Sequence, residues 1–236
     1  MNHIFSDIEF VYFDLDDTLW DFSANSPISL AHVYHHFNLG KCAPDYDTFR
    51  NLYINKNAEL WNLYHYGKVD KDFLEVERFR YPLAMIGDPR AADIAFCAGV
   101  NSEYLRFLAT LPTLVDGAEA VVKALCEAMI PLGILSNGFA GIQQQKLRSA
   151  GILQYFKHIV LSDDIGVTKP LPGIFQAAEK IADTHSHHII MIGDNYEADI
   201  LGANMLGWKT IFFNRKNVVI PENIADYTIT SLLELI

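Results

Sequence analysis

The sequence has few cysteines, few basic residues and no long apolar run, and each shortage excludes a class of protein. Its three cysteines, Cys42, Cys97 and Cys126, lack the spacing of a metal site, so we expect free thiols in a reducing compartment, the cytoplasm. No apolar stretch approaches the length that crosses a membrane, and the first residues lack the basic and apolar regions of a signal peptide. We therefore expect no secretion and no membrane partner.

Positive charge is also scarce, because 18 Lys and Arg stand against 29 Asp and Glu, which gives a formal net charge of −11. A protein that coats nucleic acid normally carries the opposite sign, so we expect no nucleic-acid polymer as a partner. Half of the 236 residues are hydrophobic, which is enough for one large core or for a domain with a sizeable insert. These properties favour a protein that acts on small molecules.

Short apolar segments alternate with helical patterns and predict a parallel sheet. The segments cover 8–13, 131–135, 158–161, 189–192 and 210–213, and a final strand and helix are predicted within 227–236. Helical patterns cover 118–129, 142–150, 172–181 and 197–206. Near-continuous apolar strands are typical of a sheet that is buried on both faces. We therefore predict an α/β fold with a three-layer, Rossmann-like parallel sheet.

One long helical interruption separates the first predicted strand from the others. Four helices are predicted there, over 29–37, 47–64, 70–80 and 90–108, with Asp47 as the cap of the second and Pro82 beyond the end of the third. We therefore predict an α/β catalytic core of residues 1–19 and 110–236, and an inserted all-helical cap domain of residues 20–109.

Three acids follow the first predicted strand, in Phe13-Asp14-Leu15-Asp16-Asp17-Thr18-Leu19. Side chains two apart on a strand point the same way, roughly 6–7 Å apart, so Asp14 and Asp16 can face one spot beyond the strand end. Open parallel sheets bind their ligands at that edge. Two unpaired carboxylates repel each other by about 4 kcal/mol at about 4 Å and an effective dielectric of about 20, and a cation relieves this repulsion. The alternative is a solvated acidic turn without function.

Polar residues follow three other predicted strands. Ser136 and Asn137 follow the second strand, Lys169 lies in the loop after the third, and Asp194 follows the fourth, with Asp199 shortly behind it. Singly, each has an ordinary explanation as a helix cap, a solvated charge or a turn. Because the carboxyl ends of parallel strands share one edge of the sheet, we expect all of them to lie near the first acids.

Taken together, these fragments resemble the four signatures of the haloacid dehalogenase-like (HAD) hydrolases. The matching motifs are Asp14-x-Asp16-x-Thr18, Ser136, Lys169 and Gly193-Asp194-x4-Asp199. The insert resembles the helical cap of that family's first subclass. Its length, and the run from Phe13 to Asp21, are similar to the nucleotidase branch of the YjjG-type phosphatases. The resemblance covers the whole chain and implies a Mg²⁺-dependent phosphomonoester hydrolase.

The resemblance also implies catalytic roles. Asp14 would be the nucleophile that forms an aspartyl-phosphate, and Asp16 would be the general acid and then the general base. Lys169 would place its positive charge against the nucleophile and the transferring group. Asp17 has no matched role, and we expect it in a solvated turn or as a cap.

Binding roles follow from the same resemblance. Mg²⁺ would be held by oxygens, with the metal ligands being the carboxylates of Asp14 and Asp194 and the backbone carbonyl of Asp16. Ser136 and backbone N–H groups, including that of Asn137, would bind the phosphate together with Lys169. Asp199 would support the metal's waters or orient Lys169 as an outer partner.

Other activities stay open on the sequence. The dehalogenases of this family attack carbon, work without metal and lack the second Asp, so Asp16 disfavours them, although Ser136-Asn137-Gly138 resembles their sequence. Phosphomutases share all four signatures but need a retained bisphosphate intermediate. A phosphoacceptor signalling module also has strand-end acids and a Lys but would lack the helical insert, and a non-catalytic binding protein would not need the four signatures intact.

A small phosphorylated metabolite is the predicted substrate, with nucleoside 5′-monophosphates as the first choice. Aromatic residues of the insert could stack a nucleobase, and they are Tyr53, Trp61, Tyr64, Tyr66, Phe73 and Tyr81. Packing between helices is the alternative explanation for these rings. Trp20 and Phe22, at the start of the insert, could line the entrance to the site.

Overall fold

The structure is a computed structural model that describes residues 3–42 and 45–236. The chain divides into two compact units, one formed by Met1–Phe22 with Pro112–Ile236 and the other by Ser23–Leu111. Cys42, Cys97 and Cys126 are free thiols, as predicted. Among the described residues, none of the helices combines the length and the hydrophobicity that crossing a bilayer requires.

The described elements of the Ser23–Leu111 unit are helices. They are α1 (Phe22–His36), α2 (Tyr46–His65), α3 (Lys71–Met85) and α4 (Ile94–Leu108), with short 3₁₀ turns at Leu39–Lys41 and Pro89–Ala92. The core of this unit includes Tyr53, Phe79 and Tyr104, whose ring centroids lie 4.9 to 5.6 Å apart. Tyr53 therefore packs between helices, whereas Tyr66 and Phe73 are exposed.

Two details of the predicted helices in this unit were wrong. The cap of α2 is Asp45, whose side chain accepts from the Thr48 N–H at 2.6 Å, and not Asp47. Helix α3 does not end before Pro82 but continues to Met85. A proline inside a helix removes one backbone hydrogen bond, and here Pro82 and Leu83 are both buried. Burial of the last turn of α3 therefore outweighs the lost hydrogen bond.

The other unit is built on a sheet of six parallel strands, as predicted. They are β1 (Phe10–Phe13), β2 (Leu132–Ser136), β3 (Phe156–Leu161), β4 (Ile189–Gly193), β5 (Lys209–Phe213) and β6 (Tyr227–Ile229). Their spatial order is β3-β2-β1-β4-β5-β6. Phe13 pairs with Ile134 of β2 and with Ile192 of β4. The segments that follow β1, β2 and β4 therefore emerge side by side at one edge.

Helices cover this sheet in the α/β arrangement that the alternating pattern predicts. They are α5 (Ala118–Glu127), α6 (Ile142–Ser149), α7 (Ser162–Ile165), α8 (Pro172–Ala182) and α9 (Gly202–Asn204), with a π-helical turn at Tyr196–Leu201 and a 3₁₀ turn at Leu232–Leu235. Phe10 and Tyr12 point to one face of the sheet, where they pack in the cluster that contains Phe175 and Ala178 of α8. The Tyr12 hydroxyl donates to the Ala178 carbonyl at 2.8 Å. The central strand is thus fixed by hydrogen bonds along both edges and by packing on its face.

Candidate active site

Asp14 is the first residue beyond the central strand. Its backbone N–H still donates to the Ile192 carbonyl at 2.9 Å, which holds the residue at the edge between β2 and β4. The side chain is almost fully buried. A carboxylate that is held this firmly and is largely shielded from water needs positive charge nearby.

Lys169 supplies that charge from the loop after β3. Its ammonium donates to Asp14 Oδ1 at 2.7 Å, to Asp199 Oδ1 at 2.6 Å and to the Leu135 carbonyl at 2.6 Å. These three acceptors use all three protons of the ammonium. Burial acts to lower the pKa of Lys169, but the Asp14 and Asp199 carboxylates outweigh it and raise the pKa above its usual value. Lys169 is therefore a fixed cation.

Asn137 joins the loop after β2 to the loop that carries Lys169. Its Oδ1 accepts from the Lys169 backbone N–H at 2.7 Å, and its Nδ2 donates to the Lys169 carbonyl at 2.9 Å. The side chain is buried and its two hydrogen bonds fix the backbone of Lys169. The Asn137 side chain thus positions Lys169, while its backbone N–H is the group predicted to bind phosphate.

Asp194 and Asp199 follow β4. The Asp194 backbone N–H donates to Thr18 Oγ1 at 3.0 Å, which places Asp194 beside the loop after β1. A Cβ at Gly193 would collide with the Asp199 carboxylate, so the glycine is what lets Asp199 reach Lys169. Asp199 Oδ2 also accepts from the Asn195 N–H at 3.1 Å.

Asp14, Asp194 and Asp199 each offer a carboxylate oxygen, and these oxygens lie within 4.8 Å of one another. Burial, with Asp199 as the largest neighbouring charge, raises the pKa of Asp194 from 3.8 to about 7 against the opposing effect of Lys216. Burial also raises the pKa of Asp14. Burial, reinforced by the neighbouring carboxylates, therefore raises both pKa values against the opposing charges of Lys169 and Lys216. The three carboxylates share the single buried ammonium of Lys169, so negative charge is left uncompensated. A set of hard oxygen donors with excess negative charge fits Mg²⁺.

The chain matches the model of a known family over most of its length. The family is described as haloacid dehalogenase-like hydrolase, and residues 8–207 match it. The chain belongs to the haloacid dehalogenase-like hydrolases. The membership predicted from the four signatures is thereby confirmed.

Relatives of this HAD hydrolase include both phosphatases and a protein named only for its family. The chain is 33% identical over 227 residues to HAD-hydrolase YfnB of Bacillus subtilis, covering 94% of this chain and 92% of YfnB. It is 29% identical to the pyrimidine 5′-nucleotidase YjjG of Escherichia coli, covering 96% of each. It is 28% identical to a glyceraldehyde 3-phosphate phosphatase of Pyrococcus furiosus, and the match covers 97% of this chain and 92% of that phosphatase.

A solved structure of YfnB bound to magnesium is similar to this HAD hydrolase along the whole chain. The TM-score is 0.85 at 31% identity, and the match covers 97% of this chain and 96% of that one. The sequence relatives include proteins named for their action on small phosphorylated molecules, namely a nucleotidase and a sugar-phosphate phosphatase.

In the metal-free form of this HAD hydrolase, the contribution of Asp194 to stability is expected to fall as the pH rises from about 4 to about 7. The folded chain binds the Asp194 proton more tightly than the unfolded chain does, so deprotonation favours unfolding. With EDTA at about pH 8, Asp194→Asn should therefore be more stable than the wild type, on the order of 1–3 kcal/mol, and the difference should vanish below about pH 4. Urea unfolding at several pH values measures this.

Mg²⁺ should shrink or reverse this difference, because the ion stabilises the ionised Asp194 that the variant lacks. Asp164→Asn makes the same change at an exposed position and should leave the pH dependence unaltered. A variant that is less stable than the wild type at about pH 8 in EDTA would contradict this account of Asp194.

Two residues on α6 that contact Asp16 were missed in the sequence, Gln143 and Lys146. Lys146 Nζ donates to Asp16 Oδ1 at 2.6 Å, and Gln143 Nε2 donates to Asp16 Oδ2 at 2.8 Å and to Ser136 Oγ at 2.8 Å. Both side chains are buried. Their spacing of three places them on one face of the helix, and that pattern, directly behind Ser136, is what could have identified them.

Asp17 and Trp20 differ from their predicted places. Asp17 does lie in a turn, but it is buried, with a left-handed φ of 61°, and accepts from Lys216 Nζ at 2.9 Å, so the prediction that it is solvated was wrong. Trp20 is fully buried, and the Lys146 ammonium lies 4.5 Å from its ring centroid. The Trp20 side chain therefore packs inside the unit and does not line an entrance.

Proposed function

We propose that the chain is a Mg²⁺-dependent phosphomonoester hydrolase that works through an aspartyl-phosphate on Asp14. The observation that carries this proposal is the placement of the Lys169 ammonium between Asp14 and Asp199, with the Asp194 carboxylate within the same oxygen cluster. A nucleophilic carboxylate, a fixed cation and a divalent-ion site are the parts that phosphoryl transfer requires.

The reaction has two steps in this proposal. In the first, an Asp14 carboxylate oxygen attacks phosphorus, the ester P–O bond breaks, and Asp16 gives its proton to the leaving oxygen. In the second, Asp16 takes a proton from a water molecule that attacks phosphorus, and the Asp14–phosphorus bond breaks to release phosphate. Lys169 offsets negative charge in both steps.

Mg²⁺ would be held by the carboxylates of Asp14 and Asp194 and by the Asp16 backbone carbonyl, with Asp199 as an outer partner through Lys169. When bound, the ion neutralises phosphate charge and orients the phosphoryl group for attack. Ser136 Oγ accepts from the Gly138 N–H at 3.1 Å and from Gln143, so both of its lone pairs are used. Its proton is then left to donate to a phosphate oxygen, next to the Asn137 N–H.

Asp16 distinguishes phosphoryl transfer from dehalogenation, because a halide leaving group needs no proton. Gln143 and Lys146 give further support, since they hold both Asp16 carboxylate oxygens. A side chain oriented by two donors on a helix is suited to proton transfer at a fixed point.

Nucleoside 5′-monophosphates are the substrates we propose first, because one relative is a pyrimidine 5′-nucleotidase. The cytoplasmic location stays a prediction from the sequence.

Phosphate release from a panel of phosphomonoesters tests the proposal. The panel holds nucleoside 5′-monophosphates, glyceraldehyde 3-phosphate and p-nitrophenyl phosphate, each with Mg²⁺ and with EDTA. We expect turnover only with Mg²⁺, and highest kcat/KM for a nucleotide. Turnover of 2-chloropropionate in EDTA would establish the dehalogenase instead, and stable phosphorylation without turnover would establish a phosphoacceptor module.

Gln143→Leu is expected to lower kcat by about 10²-fold on a ribose phosphate and much less on p-nitrophenyl phosphate. The reason is that an alkoxide leaving group needs the proton that Asp16 delivers, whereas nitrophenolate does not. The comparison of kcat between the two esters measures the effect. Gln144→Leu is the matched control, because Gln144 is exposed on the same helix. Measured for the first step alone, as the single-turnover release of alcohol or nitrophenol, an equal loss on both esters would mean that Gln143 does not act through proton transfer to the leaving group.

A further inference from the structure

A second group of metal-ligating side chains lies in the Ser23–Leu111 unit, apart from the acids of the sheet. It consists of His32 and His36 on α1 and Glu103 on α4. One ligand atom of each residue lies within 4.8 Å of the others. Within residues 3–42 and 45–236, the other such group is the one that contains Asp14. The two groups differ in chemistry, because only the helical one offers imidazole nitrogen.

The backbone presents the two histidines together. His32 and His36 are four residues apart on α1, so they lie on one face of the helix, and their rings stack with centroids 5.5 Å apart. His32 Nε2 is 2.7 Å from Glu103 Oε1. Two imidazoles at this spacing on a helix with a carboxylate from elsewhere form a donor set that Zn²⁺ takes in proteins.

Neighbouring residues already orient two of the three donors. The His32 ring lies flat against Phe107, with centroids 4.0 Å apart and an interplanar angle of 8°. Arg106 holds the Glu103 carboxylate with two hydrogen bonds of 2.7 Å each. These hydrogen bonds, first from Arg106 and then from His32, lower the pKa of Glu103 to about 2. Glu103 is therefore an ionised ligand whose orientation is held by an outer partner, as in known metal sites.

The electrostatic balance also favours a cation. His36 is the last residue of α1, where the partial negative charge of the helix end attracts positive charge. Arg106 opposes a cation, but its side chain is 65% exposed, so solvent screens it. The net effect of the carboxylate and the helix end is attraction.

We propose that His32, His36 and Glu103 form a binding site for a divalent transition metal ion of the Zn²⁺ class. Imidazole ligands select such ions over Mg²⁺, which prefers oxygen. With three protein ligands, water would complete a tetrahedral site. The ion would join α1 to α4 and stabilise this unit against unfolding by an amount that grows with the logarithm of the free-ion concentration once that exceeds Kd. The site needs neither substrate nor the acids of the sheet.

Calorimetric titration of the full chain with Zn²⁺ tests the proposal, and excess Mg²⁺ is included to fill the oxygen cluster that is proposed to bind it. We expect one saturable equivalent for the wild type. His36→Ala and Glu103→Gln should each weaken Zn²⁺ binding at least about tenfold, since the loss of an outer partner alone costs about 10- to 100-fold. Co²⁺ bound at the same site should show the visible absorption of a nitrogen-ligated ion, and His36→Ala should remove that spectrum.

His187→Ala is the matched control, because His187 is likewise exposed and also lies beside other histidines. It should leave the titration unchanged. Thermal unfolding provides the second measurement: Zn²⁺ should raise the Tm of the wild type and of His187→Ala, but not that of His36→Ala. Absence of saturable binding in the wild type, or loss of binding in His187→Ala rather than His36→Ala, would overturn the proposal. His36 is exposed, so a variant whose Tm without Zn²⁺ matches the wild type reports on binding alone.

Discussion

Asp14→Asn is expected to lower kcat for phosphate release by at least about 10⁴-fold, the scale seen when an enzyme loses its nucleophile. The amide has the same shape as the carboxylate but lacks the negative charge and the available lone pair that attack phosphorus. Lys169 keeps its other two acceptors, Asp199 and the Leu135 carbonyl. The fold should therefore persist, and burial of one fewer carboxylate should make the metal-free variant no less stable than the wild type.

Steady-state phosphate release with Mg²⁺ measures this loss, and circular dichroism with urea unfolding checks the fold. Asp164→Asn makes the identical chemical change at an exposed residue of the same unit and should keep full activity. Phosphate on the wild type that survives an acid quench, is released by base or hydroxylamine, and is absent from Asp14→Asn would identify the intermediate. If Asp14→Asn retained more than about one hundredth of the wild-type kcat, the aspartyl-phosphate mechanism would be wrong.

Lys169→Met is expected to lower kcat by about 10³-fold or more, because it removes the positive charge that faces the transferring group. It should also destabilise the protein by about 3–5 kcal/mol, the usual cost of leaving a buried charge without its partner. Two carboxylates, those of Asp14 and Asp199, lose their common cation. Activity and stability therefore fall together in this single variant.

The double variant Lys169→Met with Asp199→Asn separates the two effects. Removing the Asp199 charge should recover much of the lost stability, because fewer buried carboxylates are left unpaired. Activity should stay at the level of Lys169→Met, since the cation is still missing. Urea unfolding and kcat with Mg²⁺ measure the two quantities. Recovery of activity along with stability would show that Lys169 serves the fold and not the chemistry.

The sequence was informative where one physical requirement dominates a segment. Strands buried on both faces must be apolar along their whole length, and the segments around Tyr12, Ile134 and Ile190 are recognisable for that reason. The shared edge of a parallel sheet then implied that Asp14, Lys169 and the residues after β4 converge. Their hydrogen bonds and the 4.8 Å oxygen cluster agree with that expectation, whereas their chemical roles stay proposals.

The sequence was less informative where a side chain's partner comes from another segment. No residue near Asp17 in the sequence indicates that Lys216, 199 residues later, forms an ion pair with it. Gln143 and Lys146 occur in an ordinary amphipathic helix, and their contacts with Asp16 depend on how α6 is placed by the loop after β2. Pro82 is a helix breaker by local preference, and only tertiary packing explains why α3 continues through it. Local propensity cannot predict such contacts.

The position of β1 has a consequence for how the molecule is made. It is the first strand in the chain, yet it lies between β2 and β4, which end at Ser136 and Gly193. During synthesis β1 can pair with β2 first, but its other edge must stay unpaired until β4 has left the ribosome. The Ser23–Leu111 unit is continuous in sequence and can fold in the meantime, because its contacts are local. The edge that carries Asp14 thus stays incomplete until β4 has been made, and a nascent chain stopped before Gly193 contains Asp14 and Lys169 without Asp194 and Asp199.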